Sequence, residues 1–114
     1  MIAPTSTATA QHYLWGDGCD GWRLLQRGDF SVIQERVPAG KSELMHYHRF
    51  ARQFFFILEG EGIIRLDDQE IVLCKGDGLE IQPGLRHQFC NRSSLDVHFL
   101  VISVPPAQGD RINV

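Results

Sequence analysis

Glycine, proline and aspartate recur along this chain at intervals too short for ordinary helices, and that punctuation most limits what it can fold into. The breaks fall at Gly16-Asp17-Gly18, Gly28-Asp29, Pro38-Ala39-Gly40, Gly60-Glu61-Gly62, Asp67-Asp68, Gly76-Asp77-Gly78 and Pro83-Gly84. Between them lie short runs suited to strands: Trp22–Gln26, Phe30–Val37, Glu43–His48, Gln53–Glu59, Ile63–Leu66, Glu70–Leu73, Gly78–Ile81, His87–Asn91 and Val97–Val104. β-Branched and aromatic residues pack well on a pleated surface, and Gly, Pro and Asp supply turn geometry. Short strands at regular spacing predict an all-β sandwich or barrel. No window longer than about ten residues carries a 3.6-residue apolar period, so no helix is expected.

Two runs are apolar on both faces, Phe54–Leu58 and Phe99–Ile102. A strand of that kind is covered on both sides. One side can be a barrel interior. A partner subunit is the expected cover for the other, and symmetric pairs are the commonest oligomers. The organisation read here is an N-terminal arm over 1–21, partly extended or strand-forming, a barrel over 22–104 and a C-terminal tail over 105–114.

With 114 residues and 43% hydrophobic content, one domain is the simplest reading. A formal charge of −3 and the scattered placing of Arg49, Arg52, Arg86, Arg92 and Arg111 give no phosphate-binding stripe, so nucleic acid is not an expected partner. No apolar run reaches the length of a membrane span. Residues 1–10 lack a basic start and an apolar centre, so they do not read as a signal peptide, and the cytoplasm is the default expectation. Cys19, Cys74 and Cys90 show no metal-like spacing and read as free thiols. Cys74 and Cys90, in strand-like runs, are expected to be buried apolar residues.

The chemistry lies in His46-Tyr47-His48, Gln53 and His87. Side chains alternate across a strand, so histidines two apart project from one face. A third imidazole from elsewhere would complete a facial metal site. On the same reading Leu44 joins His46 and His48 on the inner face, and Glu43, Met45 and Tyr47 take the other. Gln53 shares its face with Phe55 and Ile57. His87, Phe89 and Asn91 lie together.

Spacing extends the pattern. Gly40, five residues, His46-Tyr47-His48, four residues, Gln53, six residues and Gly60 resemble the first cupin motif, with Gln53 where that family usually carries Glu. Gly76, five residues, Gln82-Pro83-Gly84, two residues, His87, three residues and Asn91 resemble the second, with Gln82 in the usual Pro position. The short gap from Gly60 to Gly76 is similar to that of compact, single-domain, cupin-2-type barrels. The resemblance implies a double-stranded β-helix, or jelly roll, of two antiparallel sheets around a pocket. It also implies that His46, His48, Gln53 and His87 hold one divalent transition metal ion, of the set Zn, Ni, Fe, Mn, Co and Cu.

Gln53 changes the electrostatics. Its amide offers a neutral carbonyl oxygen, so three neutral imidazoles and Gln53 would leave the ion its full 2+ charge. Weaker metal affinity and a small anionic oxygen ligand are expected. His12 and His98 fall outside the motifs and read as ordinary histidines. Tyr47 and Trp22 read as packing residues, while Tyr13 and Trp15 are candidates for a pocket mouth. Arg52 and Arg86, each next to a ligand, should point away from it. No catalytic acid or base stands out, and no histidine–carboxylate pair for proton transfer is evident. The expected activity is dioxygenase-like. A sugar isomerase or epimerase-like activity and non-catalytic binding or sensing of a small ligand are the alternatives.

Overall fold

The computed structural model describes residues 2–114. Eleven strands form: β1 (Gln11–Trp15), β2 (Cys19–Gln26), β3 (Ser31–Val37), β4 (His46–His48), β5 (Arg52–Glu59), β6 (Glu61–Arg65), β7 (Glu70–Cys74), β8 (Gly78–Ile81), β9 (Gln88–Cys90), β10 (Val97–Val104) and β11 (Arg111–Asn113). No helix forms among the described residues.

A six-stranded sheet runs β1-β2-β3-β10-β5-β8, and every pairing in it is antiparallel. Facing it are a three-stranded sheet, β7-β6-β9, and a two-stranded sheet, β11-β4. Bridges Ser42↔Cys90 and His46↔His87 stitch β4 to the β9 side, so the small sheets act as one opposing layer. This is the two-sheet jelly roll expected from the sequence.

The core sits between the layers. Phe99 and Phe55 come from the large sheet and Phe89 from the small one. Phe89 stacks on Phe99 with centroids 4.1 Å apart and lies 6.1 Å from Phe55. Gly62 makes this possible, because a Cβ there would meet the Phe89 ring at 2.3 Å. The inward rows of β3, β10 and β5 carry Ile33, Val101 and Phe55 toward the opposite layer.

Several local expectations change. The N-terminal arm, read as partly extended or strand-forming, builds β1 and begins β2, which extends the large sheet. The tail does likewise: Arg111↔His48 and Asn113↔His46 pair β11 with β4. The strand expected over Glu43–His48 shortens to His46–His48. Its alternation fails at Glu43, which is buried, while Leu44 is 65% exposed. The inversion is stabilised by hydrogen bonding: Glu43 Oε2 accepts the Phe89 N–H at 3.0 Å and Oε1 accepts from Arg111 at 3.2 Å. Cys90 is buried as expected, but Cys74 is exposed because Leu73 holds the inward position of β7. On the outward apolar row of the large sheet, Phe54 is 40% exposed and Phe56, Leu100 and Ile102 are half-buried.

Candidate metal centre

The structure brings His46, His48 and His87 together. One ring nitrogen from each lies within 4.8 Å of the others, and all three residues are buried. The backbone produces this convergence. His46 N–H donates to His87 C=O at 3.0 Å, and His87 N–H donates to His46 C=O at 2.8 Å. That reciprocal pair fixes the two residues directly opposite each other. Their ring centroids are 4.3 Å apart. His48, two residues along β4, lies on the same face, with its ring 5.0 Å from His46.

Two of the rings are further oriented. Nδ1 of His46 is 2.9 Å from the Leu44 carbonyl, and Nδ1 of His87 is 2.8 Å from the Leu85 carbonyl. A carbonyl only accepts, so each Nδ1 carries its hydrogen and each Nε2 presents a lone pair. Such partners fix the tautomer and aim of metal-ligating histidines. Burial, reinforced by its neighbour His87, pushes His46 down to about 3 and His48 down to about 4. Burial also lowers His87. The rings are therefore neutral near pH 7, the form that binds metals.

Gln53 lines the same cavity as His46 and His48. It projects from β5, is buried, and donates from Nε2 to Ser103 Oγ at 3.1 Å. In this arrangement Oε1 is the end of the amide left without a partner. Gln53 Oε1, His48 Nδ1 and His87 Nε2 are all buried without a hydrogen-bond partner. Stranded polar atoms of this kind each cost about 1–3 kcal/mol. The lone pair of His87 Nε2, in a cluster of three ring nitrogens within 4.8 Å of one another, fits a divalent cation. His46, His48, His87 and Gln53 would hold it, a set suited to Zn, Ni, Fe, Mn, Co or Cu.

The cluster opens on a cavity of about 270 Å³. Apolar side chains such as Ile33, Phe55 and Val101 line it, and residues 106–109 roof it. Asp110 anchors that roof by accepting the backbone N–H groups of Arg49, Phe50 and Ala51 at 2.9–3.0 Å.

Other expectations resolve residue by residue. Tyr13 and Trp15 line the cavity. Tyr47 lies outside it, opposite Ile112. Trp22 packs between His12 and His98, so those two histidines take no part in the cluster. Arg52 and Arg86 point outward, toward Glu80 and Asp67. Asn91 is structural, donating to Val37 C=O and Leu95 C=O.

Among the charged cavity residues, sequence reasoning missed Arg23, Glu35, Glu43 and Arg111. Glu43 Oε1 lies 3.7 Å from His46 Nδ1, the approach of a carboxylate to the cluster that the sequence did not reveal. That contact is not an ion pair, because His46 is neutral and its Nδ1 hydrogen goes to Leu44. The ion pair of Glu43 is with Arg111. Burial raises Glu43 to about 7 despite that partner. Inward parity with Ile33 and Val37 was the available signal for Glu35. None marked Glu43.

The cupin-domain family model matches residues 32–103. The chain is a cupin. An uncharacterized protein of Methanocaldococcus jannaschii is 33% identical over 76 residues, covering 67% of this cupin and 61% of the relative. Quercetin 2,3-dioxygenase of Bacillus subtilis is 33% identical over 72 residues, covering 63% of this cupin but 20% of that enzyme. This cupin thus spans less than two thirds of either relative. Among solved structures, a cupin-superfamily sugar phosphate isomerase from Silicibacter pomeroyi superposes with a TM-score of 0.79 at 25% identity. That match covers 90% of this cupin and 75% of the isomerase.

Proposed function

We propose that this cupin is a metal-dependent enzyme of the dioxygenase type acting on a small, anionic, oxygen-bearing molecule. The carrying observation is the convergence of three neutral imidazoles on a half-open, largely apolar cavity that Gln53, its Oε1 unpartnered, also lines. A bound divalent metal would supply Lewis-acid polarisation of an oxygen ligand and, if redox-active, a route to oxygen chemistry. The chain's own residues do the rest. His46, His48 and His87 are held in donor geometry by Leu44, Leu85 and the paired backbone. Ser103 holds the Gln53 amide at the cavity wall. Phe55, Val101 and residues 106–109 line the cavity and limit its contact with water, which strengthens electrostatic contacts inside. With no charged ligand in the set, an anionic oxygen is the favoured guest. The resemblance to a protein named a dioxygenase supports the reaction type.

A second reading is an isomerase-type proton transfer. Glu35 and Glu43 on the cavity wall favour it, as does the fold shared with a sugar phosphate isomerase. Oxygen uptake separates the readings. Protein loaded in turn with Fe, Mn, Ni, Cu, Co and Zn is offered a panel of small phenols, enols and carboxylates. Substrate-dependent uptake with a redox-active ion, and none with Zn, is the expected result. Turnover that is equal with Zn and without oxygen would favour the isomerase. Binding without turnover for every ion would leave a ligand-binding module.

We also propose that the outer face of the large sheet pairs with a second copy. Half-buried Phe56, Leu100 and Ile102 flank the exposed Phe54 there. Sedimentation should show a dimer that Phe54→Arg converts to monomer. A monomeric unsubstituted protein would refute this.

A further inference from the structure

Two carboxyl side chains face the cavity, and only one is engaged. Glu43 is held by the Phe89 N–H and by Arg111. Glu35 is not. It projects inward from β3 and lines the same cavity as the histidines. Its Oε2 accepts a hydrogen bond of 3.4 Å from the Tyr13 hydroxyl. Among the described residues no other donor reaches it, and no cation pairs with it. Arg111 is committed to Glu43. Arg23 lies over the Tyr13 ring, 4.4 Å from its centroid. Glu35 Oε1 is left for whatever enters the cavity.

The arrangement around Glu35 is built. Tyr13, Gly21 and Glu35 occupy one row across β1, β2 and β3. A Cβ at Gly21 would come within 2.2 Å of Tyr13 Cζ. Only glycine leaves the ring room to lie across β2 and bring its hydroxyl to Glu35. At the other end of the sheet, Ser31, Ser103 and Gln53 occupy one row. Glu35 stands four residues beyond Ser31, about 13 Å along the strand at ~3.3 Å per residue. Glu35 and Gln53 both line the cavity, so a ligand between them is shorter than that backbone span. Ile33, Phe55 and Val101 supply apolar wall in between.

We propose that Glu35, oriented by Tyr13, is the second binding pole of the cavity, taking the far oxygen of a ligand whose near oxygen lies at the histidine cluster. The proposal rests on the metal-dependent reading above and names its ligand class. That class is a single-ring molecule, or an acyclic one of equal length, with an apolar middle and an oxygen function at each end. The cavity's 270 Å³ sits below the ~300–1,000 Å³ typical of drug-sized ligands, which excludes bulkier guests. Burial, with the nearby Glu43 charge second, raises Glu35 to about 8. At pH 7 it is a neutral acid, able to donate to a hydroxyl, phenol or carbonyl and to accept from the first two.

The test uses protein loaded with Co(II), whose visible absorption reports an assembled histidine site. Benzoate and 4-hydroxybenzoate are titrated by calorimetry. The readout is the ratio of their affinities, which isolates the para-hydroxyl. An unsubstituted ratio of about tenfold in favour of 4-hydroxybenzoate is expected, the worth of one enclosed hydrogen bond. Glu35→Leu should bring the ratio to about one, and Glu35→Gln, which keeps a neutral donor and acceptor, should restore most of it. An intact Co(II) spectrum with no hydroxyl preference, or a preference that survives Glu35→Leu, overturns the Glu35 assignment alone. Absence of the Co(II) spectrum overturns the metal reading and this proposal with it.

Discussion

Replacing Gln53 by Glu should push metal-free and metal-loaded protein in opposite directions. The swap is nearly isosteric at a buried position whose Nε2 rests on Ser103. Ser103 can donate as well as accept, so the second carboxylate oxygen keeps a partner. In metal-free protein the new charge is buried with no cation assigned to it, at a cost of about 1–3 kcal/mol. Beside a 2+ ion the balance reverses. A unit negative charge ~3 Å away is worth about 11 kcal/mol at an effective dielectric near 20. Desolvation consumes most of that, leaving a net gain of roughly 2–4 kcal/mol. Metal affinity should therefore rise about 30- to 1,000-fold while the metal-free melting temperature falls. The site's lower net charge should also weaken an anionic guest such as benzoate by roughly tenfold. Competition titration with Co(II) or Zn(II), thermal melting in chelator and benzoate calorimetry read the three effects. Unchanged metal affinity together with unchanged benzoate binding would refute the assignment of Gln53 to the ion.

Three further outcomes follow from the same geometry. Chelation should lower the melting temperature without unfolding the barrel. At free metal about 100-fold above Kd the loss is ~2.7 kcal/mol, or roughly 10 °C for a chain of this size; a melt insensitive to chelator at saturating metal contradicts the site. Glu35→Gln should alter how metal-free stability depends on pH. A carboxyl raised to about 8 in the fold contributes fully below its unfolded value and loses that contribution as pH rises through 8. Chemical denaturation at pH 9 should then find the variant more stable by about 2–4 kcal/mol, allowing for solvent in the cavity, with the gap closing toward pH 4; parallel pH profiles would count against the enclosed, unpaired carboxyl. Phe89→Ala should cost ~3–5 kcal/mol in denaturant unfolding, because the ring is fully buried between Phe55 and Phe99; a loss under about 1 kcal/mol would mean the layers do not meet there.

The parts legible in sequence were those governed by local rules. Turn residues punctuate the strands, and period-two alternation places His46 and His48 on one face whichever sheet receives them. The spacing from Gly76 to Asn91 then supplied His87. What could not be read locally depends on partners far along the chain. Glu43 looks like a surface carboxylate because its compensation, Arg111 and the Phe89 N–H, is distant in sequence. Its inward turn reverses Leu44 as well, which a strict alternation cannot anticipate. Glu35 sits in Ser31–Val37, a strand with polar residues on both faces, so its parity carries information only once the inner face is known. The C-terminal segment reads as a tail because Arg111–Asn113 is too short to declare itself a strand. Pairing with β4 makes it one and sets the cavity roof in place.

The most direct measurement is anomalous diffraction at the absorption edge of the metal in crystals grown with Co(II) or Ni(II). One peak is predicted at about 2.0–2.2 Å from a ring nitrogen of each of His46, His48 and His87, with the Gln53 oxygen facing it. Imidazoles with no peak between them, or a peak held by other residues, would contradict the account.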